Sequence, residues 1–387
     1  MDISVIASSK MNEINDKENF DIFSGKVAGV CYMASSFNDL LNEDIAKTNR
    51  RINQTKKSGH HSVYDHNSIS LYLENIPKIV AMILNNEKQY TTSEKSARYT
   101  KMALSTQEQE IYDKWLQIFK EKISALYKAD YPDFFTDNRI EKLAQENARY
   151  LTSVFTPASM VYTTTYRQLN IIIAMVDKFV AKSDKNDFEL KLQPYLEELS
   201  NKLKSLPYYD KDLSLNEKCR TLSLFNDRGV EEYFGDVYAV IYEASFACLA
   251  QAHRHRTIGY HIEKVLDKYY VPKIIESDSI LVEEWNKDMN TLKDHYPQGT
   301  LLRINEMGTM DNFILKLKER KCTFAQLEVN NISNEVLNKY VNAIKVKNHT
   351  RLEELQSYTH GSRCTFKDYT CTAPCGFKLG INETRLI

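Results

Sequence analysis

Gln251-Ala252-His253-Arg254-His255-Arg256-Thr257-Ile258-Gly259 lies in the second half of the chain, and Ser93-Glu94-Lys95-Ser96-Ala97-Arg98-Tyr99 lies in the first. Each stretch is uninformative alone. An Arg-His-Arg triplet closing a helix is often only a solvated basic terminus favoured by the helix dipole, and Ser-Ala-Arg-Tyr reads as an ordinary loop. Their surroundings change the reading. Ser68–Glu74 alternates apolar and polar residues as a strand does, and Pro77 opens a helix running to about Asn86. In the second half, Asp236–Glu243 alternates in the same way, and an apolar helix over 244–254 follows. Strand, helix and motif loop therefore occur twice, which points to an internal repeat. The fold class expected is α+β, as two repeats, each a mixed sheet packed by helices.

The pattern divides the chain into a repeat over 1–205, a repeat over 206–347 and a Cys-containing tail over 348–387 that fits neither copy. The turn-rich Leu206-Pro207-Tyr208-Tyr209-Asp210-Lys211-Asp212 is the expected linker. Further helices are expected at 37–57, 107–128, 138–150, 166–182, 187–204, 280–295, 310–320 and 334–347. With 387 residues there is length for two ordinary cores.

Lys+Arg number 51 against Asp+Glu 52, so no global basic field argues for nucleic acid. No apolar run approaches the roughly 18 residues of a membrane span, and Met1–Val5 carries no basic segment ahead of an apolar core. No membrane association is expected, and the location expected is the cytoplasm. Of the seven cysteines, Cys31, Cys219, Cys248 and Cys322 stand apart among apolar neighbours, as buried free thiols do. Cys364, Cys371 and Cys375 have metal-ligand chemistry, but their spacing matches no standard metal knuckle. A metal site there is the minority reading, and no metal is expected.

The two motif stretches carry a family resemblance. In the flavin-dependent thymidylate synthases, an Arg-His-Arg triplet and a Ser-x-Arg-Tyr segment form one continuous motif; here each half keeps the piece the other has lost. The first half resembles the family over about 25–205. His60, His61, Asp65 and His66 stand where its Gly-His…Glu-His segment falls, with Asp for Glu. Glu94, Ser96, Arg98 and Tyr99 match Glu-x-Ser-x-Arg-Tyr; Ala148-Arg149 matches the helical Ala-Arg; Thr165-Tyr166-Arg167 matches Asn-x-Arg, with Thr for Asn. The triplet position reads Asn86-Glu87-Lys88, and the late Leu-Arg position reads Met175-Val176. The second half supplies these: Gln251 with Arg254-His255-Arg256, then Arg320 at the late Arg position and Ala325-Gln326-Leu327-Glu328 after it. There Gly229, Lys264 and Leu266 replace the first-half set.

In that family one subunit supplies the triplet and the late Arg, and its neighbour supplies Ser-x-Arg-Tyr and Ala-Arg. The resemblance therefore implies one live composite site per pair of repeats, and a homodimer forming a pseudo-tetramer. It implies FAD as cofactor, with NADPH and methylenetetrahydrofolate as co-substrates and a pyrimidine nucleotide, most simply dUMP, as the methyl acceptor. Arg98 and Arg149 would hold the phosphate, assisted by Ser96 and the Ala97 backbone, because a guanidinium fork matches phosphate oxygens and stays charged. Gln251, Arg254 and Glu94 would complete substrate binding. Arg320 would face the ring and stabilise the charge left when N3 loses its proton, with Ser96 as the other catalytic residue. Flavin binding would fall to His60, Glu94, Arg167, Arg254, His255 and Arg256. Two alternatives stay open: methyl or hydroxymethyl transfer to C5 of another pyrimidine nucleotide, and a catalytically silent flavin- or nucleotide-binding paralogue.

Overall fold

The computed structural model describes residues 1–9, 16–34, 36–95, 104–214, 221–226, 229 and 231–387. In chain order the elements are β1 (Asp2–Ser8), α1 (Asp16–Tyr32), α2 (Phe37–Leu41), α3 (Ile45–Ser58), β2 (Ser68–Pro77), α4 (Lys78–Leu84), β3 (Tyr90–Glu94), α5 (Thr106–Ile123) and α6 (Asp137–Ala148). They continue with β4 (Pro157–Thr165), α7 (Tyr166–Val180), α8 (Asp187–Lys204), α9 (Lys211–Ser214), β5 (Tyr233–Phe234), β6 (Val237–Ser245), α10 (Phe246–Ala252) and β7 (Gly259–Tyr269). The last are α11 (Lys273–Glu276), α12 (Ser279–Thr291), β8 (Thr300–Thr309), α13 (Met310–Arg320), α14 (Leu327–Val346), α15 (Leu352–Gln356) and α16 (Lys378–Ile381). They group into two compact units: Met1–Lys95 with Pro157–Ser223, and Ser96–Thr156 with Leu224–Ile387.

The α+β class is as expected. Each unit carries one four-stranded sheet, ordered β1-β2-β4-β3 in the first and β5-β6-β8-β7 in the second. Every pairing is antiparallel, so the sheets are not mixed.

In the first unit the period of two is visible in β2, where Ile69, Leu71 and Leu73 are buried, and in β4, where Ala158, Met160 and Tyr162 are buried. α8 buries Leu192, Leu196, Leu199 and Leu203, the spacing of one helix face. Fully burying each such leucine contributes about 1.5–3 kcal/mol before chain entropy is subtracted. The helix expected over 37–57 is broken in two. Asp44 accepts a hydrogen bond from the Ala46 amide (2.9 Å) and restarts the chain as α3. Leu206–Asp212 is packed, with Tyr208 and Asp210 buried. Asp210 accepts hydrogen bonds from Lys56 Nζ (2.7 Å) and from the Tyr166 hydroxyl (3.1 Å).

In the second unit, α14 begins at Leu327 instead of 334. Its first turns carry Asn330 and Ser333, which read as polar surface but are buried. A further core gathers Trp115 and Phe119 of α5, Ile140, Ala144 and Ala148 of α6, and Trp285 of α12. The Trp115 and Trp285 rings meet edge to face at 4.9 Å. The tail belongs to this core through Phe377 and Ile387. β8 interrupts its apolar run with Glu306. That carboxylate is wholly buried, accepts hydrogen bonds from the Tyr238 and Tyr242 hydroxyls at 2.7 Å each, and pairs with the equally buried Lys316 of α13 at 2.5 Å.

Candidate active site

Six of the arginine, histidine and glutamine candidates fall in the second unit, and their local geometry follows from three helix ends. The Thr136 side chain caps the start of α6, which buries its Ile140–Ala144–Ala148 face and delivers Arg149 at its C-terminus. There the chain turns, and Thr152 N donates to the Arg149 carbonyl at 3.0 Å. The next stretch runs against 296–299, where Gly299 N donates to the Tyr150 carbonyl at 2.7 Å. A Cβ at 299 would lie 2.3 Å from Met289 Cε and 3.2 Å from the Tyr150 carbonyl oxygen, so Gly299 lets this approach form without displacing the Met289 side chain. Ser245 caps α10, which is buried throughout, carries Gln251 in its last turn and ends at Ala252, just ahead of the basic triplet. α13 is capped by Thr309 and ends in Arg320.

The ends of α6 and α10 meet at one amide. Gln326 Oε1 accepts from Arg149 Nη2 at 2.6 Å and also from Gln251 Nε2, while Gln326 Nε2 donates to the Tyr150 hydroxyl. Tyr150 in turn donates to Glu328 at 2.8 Å. Glu328 accepts from the Ser245 amide (2.8 Å) and hydroxyl (2.6 Å), which ties it to the α10 cap. Burial pushes the Glu328 carboxyl up, opposed by its bonds from Ser245 and Tyr150. Arg149, Gln251, Gln326 and Glu328 are all buried.

Around this network, Arg320 donates from Nη2 to the Gln251 carbonyl (3.1 Å) and from Nε to His255 Nε2 (2.8 Å). Asn330 Nδ2 donates to the Arg320 carbonyl at 3.1 Å. Arg254 and Arg256 flank the buried His255 and are themselves exposed.

Burial pushes the His255 imidazole down to about 3, with Arg320 and Lys316 adding to the effect. The ordinary value of an unfolded His is about 6.5. The unfolded chain therefore takes up this proton first as pH falls. Stability linked to His255 is intact above pH about 6.5 and declines toward pH about 3, by up to about 1.4 kcal/mol per unit. We expect urea midpoints between pH 7.5 and 4.5 to fall less steeply in His255→Gln than in the parent protein. Parallel slopes would show that His255 does not carry this linkage.

The tail, which matches neither repeat, supports the loop ahead of Gln326. Arg385 is buried and donates to the carbonyls of Thr323 (3.0 Å), Cys322 (3.3 Å) and Ala325 (2.7 Å). No motif pointed to Arg385 or Tyr150; only their contacts do. Cys364 is exposed, Cys371 and Cys375 are partly buried, and Cys375 Sγ donates to Thr323 Oγ1 at 3.6 Å. Among the described residues, no group of three or more His, Cys, Asp or Glu is arranged to hold a metal. No helix among them is long and apolar enough to cross a membrane.

His60, Glu94 and Arg167 lie in the first unit. Glu94 ends β3 with a wholly buried side chain, paired with Lys78 and accepting from Asn85 Nδ2 at 3.0 Å. Arg167 begins α7 and pairs with Asp65 at 2.7 Å, while Thr165, the α7 cap, also donates to Asp65 at 2.7 Å. The two residues that differ from the family pattern thus bond each other. His60 Nδ1 is hydrogen-bonded to the Tyr32 hydroxyl. Val176, at the late Arg position, is fully buried core. Ser96, Ala97 and Arg98 lie outside the described residues.

Arg149, Gln251 and Gln326 are thus buried together in one unit, with the half-buried Arg320 and the exposed Arg254 and Arg256 nearby in the chain fold. Residues 16–184 match the family described as thymidylate synthase complementing protein. No protein of curated function matches the sequence. Among solved structures, the chain is similar to a UMP/dUMP methylase, PolB, from Streptomyces cacaoi bound with 5-Br dUMP. The identity is 16% and the TM-score 0.33, over 52% of this chain and 87% of that one. It is also similar to thymidylate synthase X from Helicobacter pylori with FAD and dUMP, at 14% identity and a TM-score of 0.34, over 56% of this chain and all of that one.

Proposed function

We propose that the chain is a flavin-dependent thymidylate synthase-like methyltransferase that methylates C5 of a uridine nucleotide, most simply dUMP. The observation that carries this reading is that Arg149 and Gln251 meet at Gln326 while Arg320 bonds the Gln251 carbonyl, each of the three at a position matched to the family motif. A duplicated domain is the simplest account of two sheets with the same strand order, with the repeats at 1–205 and 206–347 and the tail beyond.

The donor set fits FAD. Arg254 and Arg256 offer exposed guanidiniums beside a neutral imidazole, a combination suited to pyrophosphate. His60, Glu94 and Arg167 are the first-unit residues assigned to the same cofactor. When bound, the flavin supplies two-electron redox chemistry. That chemistry is needed because a methylene carbon from methylenetetrahydrofolate must gain two electrons to end as a methyl group, and NADPH is their source. The chain's own residues bind and polarise. Arg98 and Arg149 hold the phosphate dianion with Ser96 and Ala97. Gln251 and Arg254 hold the nucleotide, and Arg320 stabilises negative charge on the ring as N3 loses its proton, which raises electron density at C5.

Calorimetric titration with FAD and dUMP tests the reading. Both are expected to bind below about 100 μM, roughly −5.5 kcal/mol, and light scattering of the same sample should report a dimer. Failure of either ligand to bind in that range refutes it. FAD and nucleotide binding without turnover in the presence of methylenetetrahydrofolate and NADPH would favour a silent paralogue.

A further inference from the structure

His255 stands in the middle of the basic triplet, yet its surroundings differ from those of the arginines on either side. Arg254 and Arg256 are exposed, whereas His255 is buried. Its Nε2 lies 2.8 Å from Arg320 Nε. A guanidinium nitrogen carries no lone pair that can accept, so Arg320 donates and His255 Nε2 accepts. The imidazole is then neutral, with its proton on Nδ1. A second acceptor, the Gln251 carbonyl, takes Arg320 Nη2 at 3.1 Å. Two acceptors on one edge of a planar fork fix the plane of that fork, where one would leave it free to swing. Behind them stands Lys316, one helical turn before Arg320 on α13 and wholly buried against Glu306. Its fixed positive charge opposes a second cation at position 255.

We propose that His255 is a positioning residue: its neutral imidazole, with the Gln251 carbonyl, holds the Arg320 guanidinium in the plane that meets the substrate ring, instead of contributing charge to the cofactor. This rests on the reading of Arg320 as the residue that faces the pyrimidine. A polar side chain is required at 255 because it must accept, and a cationic one fails because it cannot.

The test is a double-mutant cycle read in ligand affinity. FAD and dUMP dissociation constants are measured for His255→Leu, His255→Gln, Arg320→Ala and the double variant His255→Leu/Arg320→Ala. His255→Leu should weaken dUMP at least tenfold and leave FAD within threefold. His255→Gln keeps an accepting oxygen and should hold dUMP within threefold of the parent. On the Arg320→Ala background, His255→Leu should add less than twofold. Arg320→Lys keeps the charge but has no Nε–H to be held, and should also weaken dUMP at least tenfold; this arm stands even if His255→Leu does not fold. The proposal is overturned if His255→Leu weakens FAD and spares dUMP, if the two losses multiply, or if Arg320→Lys binds dUMP normally. Undiminished dUMP binding by Arg320→Ala would overturn the functional reading itself. A clear Arg320→Ala loss with multiplying His255 losses would overturn only the positioning role.

Discussion

Arg320→Ala and Arg98→Ala should each abolish turnover of dUMP in the presence of folate and NADPH. On the proposed assignment each removes a cation that pairs with negative charge on the nucleotide, a loss on the order of 2–5 kcal/mol, or roughly 30- to 5000-fold. Substitutions at the degenerate counterparts should be nearly silent. Lys88→Ala alters an exposed side chain, and Leu266→Ala a half-buried one on β7. The contrast follows from how the survivors are sorted. Val176 at the late Arg position of the first unit is core, whereas Arg320 in the second is hydrogen-bonded to His255 and Gln251. Mixing the two inactive proteins separates two architectures. Recovered activity means the halves meet between chains of a dimer, and no recovery means they meet within one. Near-parental flavin oxidation in either single variant defeats the composite site.

A loss of stability of comparable size is expected at Lys316. Its ammonium and the Glu306 carboxylate are both wholly buried at 2.5 Å, with Tyr238 and Tyr242 donating to the same carboxylate. Breaking a buried pair from one side leaves an uncompensated charge, at a cost of about 3–5 kcal/mol. Lys316→Met should therefore lower the urea midpoint of the second unit steeply. The double change Lys316→Met/Glu306→Gln should recover at least half of that loss, because a neutral amide can accept from one tyrosine through its oxygen and donate to the other tyrosine's hydroxyl through its nitrogen. If the double variant is no more stable than the single one, packing around Lys316 and not its charge is what matters. Lys316 lies one helical turn before Arg320 on α13.

Much of the architecture is readable from local pattern. The period of two in Ser68–Glu74 and Asp236–Glu243 marks β2 and β6, and the leucine spacing of 187–204 marks α8, because each element buries one face. α13 was legible to its last residue, since Thr309 caps it and Arg320 closes it. β7 and β8 were not. Both carry charged residues along their length, and β8 hides Glu306 where only a cross-strand and helical environment supplies its partners. α14 was misjudged at its start for the same reason: Asn330 and Ser333 are polar by composition and buried by position.

The sequence by itself nominated the chemistry, because arginine, glutamine and histidine stand in two separated fragments that together resemble one family motif. Gln251, Arg254-His255-Arg256 and Arg320 could be nominated without coordinates. Tertiary structure alone decided what each touches there. It made Gln326 the shared acceptor of Arg149 and Gln251, and turned His255 from one cation among three into a neutral acceptor. It also used the unmatched tail, through Arg385, to hold the loop that presents Gln326. The physical reason is that a residue's type is local, whereas its burial, its protonation and the direction of its hydrogen bonds are set by groups far away in the chain. Arg149 and Gln326 are separated by 177 positions and meet at 2.6 Å.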